Sequence, residues 1–318
     1  MTDTTRHKVI FDTDPGVDDA LALYYLIRHP QVDLLGVTTV FGNAPVALTT
    51  RNARFLLREW GHGAPVHAGA SGPLTPDMPP EAFPTHIHGE NGLGDHPVDL
   101  DPTDDPDDAA QFLIDMIRLH PGQIRVLAVG RMTNLARAVQ MAPDIAGLVR
   151  DVVIMGGAFR VPGNITPAAE ANIWGDPLAA DIVFGAAWRV VAVPLDLTTR
   201  TFMDRSTLND LGARGGPGMR LVADLSQNYV RFYQAAGYDG MLVHDAAAAV
   251  CLTDPDLFTL TTGEVRVLSD GMALGLTLMN PADRQGPMGA WQGRPRQFAA
   301  LEGQPQAILD RIAQVCTG

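Results

Sequence analysis

The segment VIFDTDPGVDDA, Val9 to Ala20, joins a short apolar run to four aspartates within eight positions. Val9–Phe11 has the length and composition of a buried strand, and from Asp18 onward the apolar residues recur at helical spacing. The segment therefore predicts a strand that ends in an acidic loop and continues into a helix. Four carboxylates this close together repel one another unless a cation binds among them or protons are shared.

The alternation of apolar runs and helical patterns continues along the chain, which is typical of a parallel sheet with crossover helices. Further strands are predicted at Val32–Val40, Ile124–Val129, Asp151–Met155 and Val190–Val193. Helices are predicted at Val46–Trp60, from the turn GRMTN to Met141, at Met219–Ala235, from Asp245 onward and at Gln304–Val315, and Phe258–Leu268 is predicted to form a sheet edge or a hairpin. We expect residues 1–318 to form a single α/β domain with a mostly parallel, Rossmann-like central sheet flanked by helices. Its active site is expected at the carboxyl ends of the strands.

The composition limits the classes of partner. The 318 residues carry a formal net charge of −13, which disfavours a nucleic acid or an anionic membrane surface as the main partner. Cys251 and Cys316 are isolated, so neither a disulfide framework nor a thiolate zinc site is predicted. The first residues lead into the first strand without the apolar core of a signal peptide, and no apolar run reaches transmembrane length. We expect a cytoplasmic enzyme.

Three hypotheses compete for the acidic segment. In the first, Asp14 and Asp18 are turn and helix N-cap residues, which accounts for only two of the four aspartates. In the second, Asp12 and Asp14 are the nucleophile and the general acid of a magnesium-dependent phosphatase of the haloacid dehalogenase type. That family also has a lysine after a later strand, whereas the one lysine of this chain, Lys8, precedes the motif.

In the third hypothesis, the segment is a site for a hard cation at the carboxyl end of the first strand. Calcium takes about six to eight oxygen ligands from carboxylates, backbone carbonyls and water. Ligand sites in doubly wound sheets lie where strands end, so further ligands are expected from other strand ends. Asp245, which begins a helix after an apolar run, and the carbonyl of Val129, which closes a strand, are the candidates.

A series of motifs along the chain resembles one enzyme family. DTDPGVDDA, FGN, HIHGENG, VGRMTNLA, MGGAF, GNITPAAEANI and VHDAAAA occur in the order, and at about the spacing, of the inosine–uridine-preferring nucleoside hydrolases. The resemblance runs from Val9 to the C-terminal helix. It implies hydrolysis of the N-glycosidic bond of ribonucleosides to free base and ribose in nucleoside salvage. It also implies one tightly bound calcium ion and a homodimer or homotetramer.

The resemblance assigns the metal ligands and the reacting groups. Asp14, Asp19 and Asp245 would supply carboxylates to the calcium ion, and Val129 would supply its backbone carbonyl. Asp14 is also expected to take a proton from the attacking water, because a metal acidifies water close to it. His244 matches the general acid that protonates the leaving base, and histidine has a suitable pKa for that step.

The substrate contacts follow from the same resemblance. Asp18 is expected to accept from the ribose 2′-hydroxyl, and Asp12 to orient the loop from behind it. The remaining contacts are expected on the ribose from Asn43, Met155, Asn164, Glu170 and Asn172, and on the base from His88, Tyr229 and Tyr233.

Several questions stay open at the level of sequence. The base could be a purine, a pyrimidine or a less common group such as nicotinamide, and the proline- and glycine-rich loop Ser71–Gly94 is expected to bear on that choice. Arg131 of GRMTN stands where the family usually has glycine or proline, and the pattern assigns it no role. The alternatives to a hydrolase of common nucleosides are a nicotinamide riboside hydrolase, the magnesium phosphatase and a nucleoside-binding protein without catalysis.

Overall fold

The first strand, β1 (His7–Thr13), is buried from Val9 to its end and pairs in parallel with a strand on each side. A strand buried on both faces is typical of a parallel sheet covered by helices. The structure is a computed structural model and describes residues 6–78, 83–283 and 289–318.

The strands of the described residues form one large sheet and one two-stranded ribbon. In chain order after β1 they are β2 (Val32–Thr39), β3 (Val66–Ala68), β4 (Ile124–Ala128), β5 (Asp151–Met155), β6 (Val190–Val193), β7 (Phe202–Asp204), β8 (Gly240–Leu242), β9 (Phe258–Val267), β10 (Thr277–Pro281) and β11 (Arg296–Gly303). β7 and β8 form the ribbon, and the large sheet has the order β10-β9-β11-β6-β5-β4-β1-β2-β3. β9 is antiparallel to both its neighbours, and the other pairings in the large sheet are parallel.

The direction in which the sheet grows reverses beside β1. The chain builds outward from β1 to β2 and β3, then returns to β4 on the other side of β1 and continues to β5 and β6. The helices that would cover neighbouring strands therefore diverge between β1 and β4. Ligand sites in sheets of this kind lie at the carboxyl ends of the strands that flank such a point.

Helices cover both faces of the sheet. They are α1 (Val17–Arg28), α2 (Val46–Glu59), α3 (Thr85–His88), α4 (Ala109–Leu119), α5 (Thr133–Met141), α6 (Ala171–Gly175), α7 (Pro177–Gly185), α8 (Leu195–Thr198), α9 (Arg205–Arg214), α10 (Gly216–Leu225), α11 (Gln227–Ala235), α12 (Asp245–Thr253) and α13 (Pro305–Thr317). Successive side chains of β1 point to opposite faces, so Val9 and Phe11 pack in the core with α1 and α12 while Ile10 packs in the core with α4 and α5. Among the described residues, none of these helices has the length and apolarity needed to cross a bilayer.

The expected α/β fold with a mostly parallel, Rossmann-like sheet is confirmed, and β9 and β10 form the expected edge hairpin. The prediction of one helix over Met219–Ala235 is wrong, because α10 and α11 are separate helices that meet at Ser226. The Ser226 hydroxyl donates to the Val222 carbonyl at 2.7 Å, a local bond that competes with continuation of the helix. The predicted loop Ser71–Gly94 contains α3, and its residues 79–82 lie outside the described residues.

Candidate active site

The acidic loop between β1 and α1 is held by donors that converge on Asp19. Its Oδ1 accepts from Thr13 Oγ1 at 2.5 Å, and its Oδ2 accepts from Gly16 N and from Asn43 Nδ2, both at 2.9 Å. Gly16 precedes the first turn of α1, so Asp18 and Asp19 stand at the positive end of the helix. The helix terminus therefore offsets part of their negative charge.

Asp14 belongs to this loop and is buried, and the described residues engage only one of its carboxylate oxygens. Oδ2 accepts from the backbone N–H of Asn43 at 2.8 Å and from Arg131 Nη1 at 3.0 Å. Oδ1 has no hydrogen-bond partner within the described residues, although Asp14 is only 1% exposed. Burial and the nearby charge of Asp19 raise the pKa of Asp14 well above its usual range, against the opposing effect of Arg131.

The carboxylate of Asp19 also forms a close group with two other carboxylates. Asp18, Asp19 and Asp245 are buried, and each offers an oxygen within 4.8 Å of the other two. Burial and then the charge of Asp19 raise the pKa of Asp18 to about 7, and burial followed by repulsion from Asp18 and Asp19 raises that of Asp245 well above its usual range. Asp18 was expected to contact the sugar, whereas here it joins the tightest carboxylate group and Asp14 lies outside that group.

The donor set fits a hard divalent cation. Every group in it is an oxygen, and Oδ1 of Asp14 adds an acceptor that receives no hydrogen bond from residues 6–78, 83–283 or 289–318. Calcium–oxygen distances of about 2.3–2.6 Å separate ligands on opposite sides of the ion by about 5 Å at most, which is compatible with the 4.8 Å spread. Without positive charge, these buried carboxylates would hold protons instead. The residues present can therefore hold a divalent metal ion.

The ends of β4 and β5 contribute backbone oxygens beside the carboxylates. Asn172 Nδ2 donates to the Val129 carbonyl at 2.6 Å and to the Met155 carbonyl at 3.2 Å. Asn172 is itself positioned by Glu170, whose carboxylate accepts from Asn172 N at 2.8 Å and from Gly157 N at 3.0 Å. These bonds show Glu170 as the N-cap of α6, with its carboxylate occupied by backbone donors.

A cavity of about 450 Å³ opens above the cluster, a volume typical of small-molecule sites. Of the site residues predicted from the sequence, the following line it: Asp18, Asn43, His88, Val129, Met155, Asn164, Glu170, Asn172, Tyr229, Tyr233, His244 and Asp245. Asp14 and Asp19 are not among the residues that line it, but both accept hydrogen bonds from Asn43, which does. Asn164 is exposed at the rim, where its Oδ1 accepts from Ala171 N at 3.0 Å.

Aromatic rings form one side of the cavity. Tyr229 packs against His88 with ring centroids 5.4 Å apart and meets Tyr233 edge-on at 5.1 Å. The Tyr229 hydroxyl donates to Asp18 Oδ2 at 3.4 Å. Burial and then the charge of Arg131 lower the pKa of His88 to about 3, so its ring is neutral and its Nδ1 accepts from a backbone N–H.

His244 immediately precedes α12 and stands between two hydroxyl groups. Its Nδ1 lies 2.8 Å from Thr198 Oγ1, and its Nε2 lies 3.4 Å from the Tyr233 hydroxyl. Burial lowers its pKa to about 4. With Thr198 donating to Nδ1, we assign the ring proton to Nε2. His244 can then donate a hydrogen bond within the cavity.

Several residues of the cavity or in contact with it were not predicted from the sequence, and four of them bear on the chemistry. Arg131 lines the cavity and pairs with Asp14, Thr198 contacts His244, and Phe232 and Trp174 add aromatic surface. The departure of GRMTN from the family pattern marked Arg131 as unusual, but the sequence does not show which acid its side chain contacts. Phe232 lies within the YVRFY pattern with the two predicted tyrosines, so helical spacing could have included it. His86, to which the sequence assigned no role, is exposed but lines the cavity and contacts Phe232 edge-on at 5.7 Å.

Asp12 is fully buried and does not line the cavity. Its Oδ2 accepts from Thr38 Oγ1 at 2.6 Å and from Asn134 Nδ2 at 2.8 Å. Burial raises its pKa to about 7. A phosphatase nucleophile must reach its substrate, so this position does not support the magnesium phosphatase hypothesis.

Comparison with known proteins agrees with the sequence resemblance. The family model described as inosine-uridine preferring nucleoside hydrolase matches residues 9–309. Uridine nucleosidase 1 of Arabidopsis thaliana is 40% identical over 280 residues, which cover 86% of this chain and 82% of that protein. The inosine-uridine preferring nucleoside hydrolase of Leishmania major is 34% identical over 281 residues, covering 86% of this chain and 87% of that protein.

Solved structures give the same relationship in three dimensions. A plant nucleoside hydrolase superposes with a TM-score of 0.91 and 36% identity, over 98% of this chain and 99% of that one. The purine-preferring ribonucleoside hydrolase from Gardnerella vaginalis superposes with a TM-score of 0.87 and 30% identity, again over 98% and 99% of the two chains. The resemblance therefore extends to the whole architecture.

Proposed function

The chain belongs to the inosine-uridine preferring nucleoside hydrolase family, and from that membership we propose which of its residues cleave a ribonucleoside and which cation they use. The enzyme hydrolyses ribonucleosides to free base and ribose. One observation carries the proposed assignment: a buried carboxylate cluster lies under a nucleoside-sized cavity whose wall includes His244.

The proposed cation is calcium. Members of this family are metal-dependent, and the all-oxygen donor set of Asp14, Asp19, Asp245 and the Val129 carbonyl suits a calcium ion. Asp18 is proposed as a further neighbour because its carboxylate belongs to the tightest group. A bound calcium ion supplies positive charge that acidifies nearby water and attracts the ribose hydroxyls.

Asp14 is proposed as the general base. Its Oδ2 is held by Asn43 N and Arg131, so Oδ1, which has no partner among the described residues, is the oxygen that would contact both the calcium ion and the attacking water, whose proton it takes. Two donors on one oxygen fix the orientation of the carboxylate, so Oδ1 needs no rearrangement before it accepts the proton. Arg131 is thus proposed as a positioning residue for Asp14.

The ribose is proposed to lie over the carboxylates. Asp18 is oriented by the Tyr229 hydroxyl and accepts from the 2′-hydroxyl, while Asn43 and Asn172 contribute further polar contacts. Met155, Asn164 and Glu170 are proposed around the same sugar. As the bond to the base breaks, positive charge develops on the ring, and nearby carboxylates stabilise that charge in the transition state.

The base is proposed to lie among the aromatic rings, where His88, Tyr229 and Tyr233 contact it. Negative charge develops on the base as it leaves. Because burial lowers the His244 pKa to about 4, its ring is neutral and donates a hydrogen bond from Nε2 to the leaving base. As the base takes that proton, the Tyr233 hydroxyl, 3.4 Å from Nε2, returns one to the ring and regains its own from water. Proton donation of this kind contributes about 10²–10⁴-fold to rate in other enzymes.

Uridine and inosine are the proposed first substrates, since both occur in the names of relatives such as those from Arabidopsis thaliana and Leishmania major. Nicotinamide riboside is the second candidate, because the aromatic wall would also stack a nicotinamide ring. A homodimer or homotetramer and a cytoplasmic location stay predictions, which light scattering and cell fractionation can test.

A ribose-release assay tests this function. Wild type and Asp14→Ala are compared on inosine, adenosine, uridine, cytidine and nicotinamide riboside, with calcium and after chelation. We expect calcium-dependent release of ribose from wild type and a loss of at least about 1,000-fold in Asp14→Ala, as is usual for a lost base. Asp101→Asn, at an exposed surface aspartate, is the matched control and should keep full activity.

Two outcomes would contradict the proposal. No ribose from any nucleoside, with folded and calcium-loaded protein, would point to a binding protein or an unusual ribosyl substrate. Undiminished activity after chelation, or in Asp14→Ala, would remove the calcium or the base from the mechanism.

A further inference from the structure

A second cavity lies at the amino ends of the central strands, whereas the active site lies at their carboxyl ends. Its volume is about 500 Å³, and arginines dominate its charged lining. Arg125, Arg150 and Arg189 line it together with His7 and one carboxylate, that of Asp151. Such a concentration of positive charge is unusual in a chain with a formal net charge of −13.

The sheet register brings these residues together. His7 begins β1, Arg125 is the second residue of β4, and Arg150 and Arg189 each directly precede a strand, β5 and β6. Because β1, β4, β5 and β6 are adjacent and parallel, their amino ends lie side by side. Arg125 pairs with Asp151 across β4 and β5, and the backbone of Arg189 accepts from Val152 N at 2.8 Å.

The carboxylate that lines this cavity and a second one close to His7 are already engaged. Arg125 binds Asp151 through two hydrogen bonds, Nε to Oδ1 at 2.8 Å and Nη2 to Oδ2 at 2.7 Å. Asp254, close to His7, accepts from Arg311 Nε at 3.0 Å. Arg125 also donates to the carbonyl of Leu252 at the end of α12, so the negative end of that helix is covered.

Two of the arginines keep uncompensated charge. Arg150 and Arg189 are exposed, and neither forms an ion pair with a carboxylate of residues 6–78, 83–283 or 289–318. The guanidinium of Arg189 lies 4.3 Å from the centre of the Phe298 ring, which limits its freedom. The buried Nδ1 of His7 has no hydrogen-bond partner in the same part of the chain.

The cavity is separate from the active site. α12 begins at Asp245, a residue of the carboxylate cluster, and its last turn, which includes Cys251 and Thr253, lines the second cavity. The two sites therefore lie at opposite ends of α12, about 13 Å of helix apart. Of the residues that the structure describes, none lines both cavities.

We propose that this second cavity is an anion site that binds a phosphate group, either inorganic phosphate or the phosphate of a small phosphorylated metabolite. A guanidinium group presents parallel N–H donors that match two phosphate oxygens, so Arg150 and Arg189 together suit a dianion. The ring of His7 adds a neutral donor or acceptor beside them. The volume exceeds that of a free phosphate and leaves room for a small organic group.

Titration calorimetry on the full-length enzyme, at constant ionic strength with chloride as the balancing anion, tests this site. Inorganic phosphate is one probe and glycerol 3-phosphate the other, because the latter has a phosphate ester but no ribose ring for the active site. The wild type is compared with the double variant Arg150→Gln/Arg189→Gln. Arg220→Gln removes an exposed arginine on α10 that has no role in either cavity and is the matched control.

We expect saturable binding to wild type and to Arg220→Gln with a dissociation constant of about 1 mM or tighter, weakened at least about tenfold in the double variant. Tighter binding of glycerol 3-phosphate than of phosphate would identify a phosphorylated metabolite, and equal binding would identify inorganic phosphate. Absence of saturable binding to wild type would overturn the proposal. So would equal binding by the double variant, whose folding is checked by its urea midpoint and its ribose release.

Discussion

Arg131 Nη1 donates to Asp14 Oδ2 at 3.0 Å, with both side chains at most 8% exposed. The pair brings a permanent positive charge from the loop after β4 against an acid at the end of β1. It engages one oxygen of Asp14, and the other has no hydrogen-bond donor among the residues that the structure describes. The unusual arginine of GRMTN therefore acts directly on a buried acid of the site.

Replacing Arg131 with glutamine should lower kcat more than it changes KM. The neutral side chain no longer anchors Asp14 Oδ2, so the proposed base loses its fixed orientation. We expect kcat to fall by about 10- to 100-fold and KM to change by less than about threefold. Arg131→Lys should restore part of the loss, since an ammonium group keeps the charge without the planar fork. A change in KM alone would assign Arg131 to substrate binding instead.

The same substitution should strengthen cation binding. Arg131 adds positive charge beside carboxylates that we propose as metal ligands, so it repels a divalent ion. We expect Arg131→Gln to bind calcium several-fold more tightly than wild type, measured by calorimetry on stripped protein. Weaker binding would show that the arginine positions Asp14 for the metal more than it opposes the ion.

Gly42 leaves space for this pair. A Cβ at position 42 would lie 1.9 Å from Asp14 Oδ2 and 2.2 Å from Arg131 Nη1, so Gly42→Ala must displace both side-chain ends. We expect ribose release to fall at least about tenfold while the protein stays folded, because the displaced atoms are not backbone. Gly63→Ala, with nothing within 4 Å of its Cβ, is the control and should behave as wild type. Full activity of Gly42→Ala would separate the pair from catalysis.

Loss of His244 should depend on the leaving group. His244→Ala removes the proposed donor to the base, so kcat/KM on uridine or inosine should fall by about 100-fold or more. p-Nitrophenyl riboside releases a phenolate that needs no proton, and its hydrolysis should fall by less than about tenfold. Equal losses on both substrates would mean that His244 acts on the sugar or on the fold.

Removing the metal should make stability depend on pH. In the metal-free protein the pKa of Asp18 and of Asp12 is raised to about 7, above the unfolded value. The folded state then binds more protons than the unfolded state, and stability falls as pH rises toward 7. A bound calcium ion keeps Asp18 ionised at every pH in this range, so the loaded protein should lose less.

Scanning calorimetry of loaded and stripped protein measures this effect. We expect the difference between their melting temperatures to grow by at least about 5 °C between about pH 5 and about pH 8. Asp18→Asn should flatten the pH dependence of the stripped protein, since one of the titrating groups is gone. Parallel curves for loaded and stripped protein would contradict ion binding at this cluster.

The periodicities of the sequence predicted most of the central sheet. β1, β2, β4, β5 and β6 were predicted as strands because each is an apolar run with an abrupt end. Short elements such as β3 and β8 carry too few residues for a pattern, and they form because neighbouring backbone is there to pair with. The break at Ser226 was missed because apolar residues continue at helical spacing on both sides of it.

The sequence by itself determined the acidic loop. The spacing from Asp12 to Asp19 places a strand end, a turn and a helix start within eight residues, so these carboxylates are neighbours in any fold of the segment. Asp245, Arg131 and Asn43 are different, since they approach the loop from other strand ends far along the chain. Their positions depend on the order β4-β1-β2 and on the start of α12.

Only the tertiary structure decided which acids lie close enough together to hold a cation and which one faces an arginine. The positions of these carboxylates relative to one another are set within a few ångströms by side-chain packing across strands, and not by their separation along the chain. The arginine-lined cavity at the amino ends of the strands depends on the tertiary structure in the same way, because its residues lie at the starts of separate parallel strands. Residues distant in sequence acquire a joint chemistry only when the sheet register brings them together.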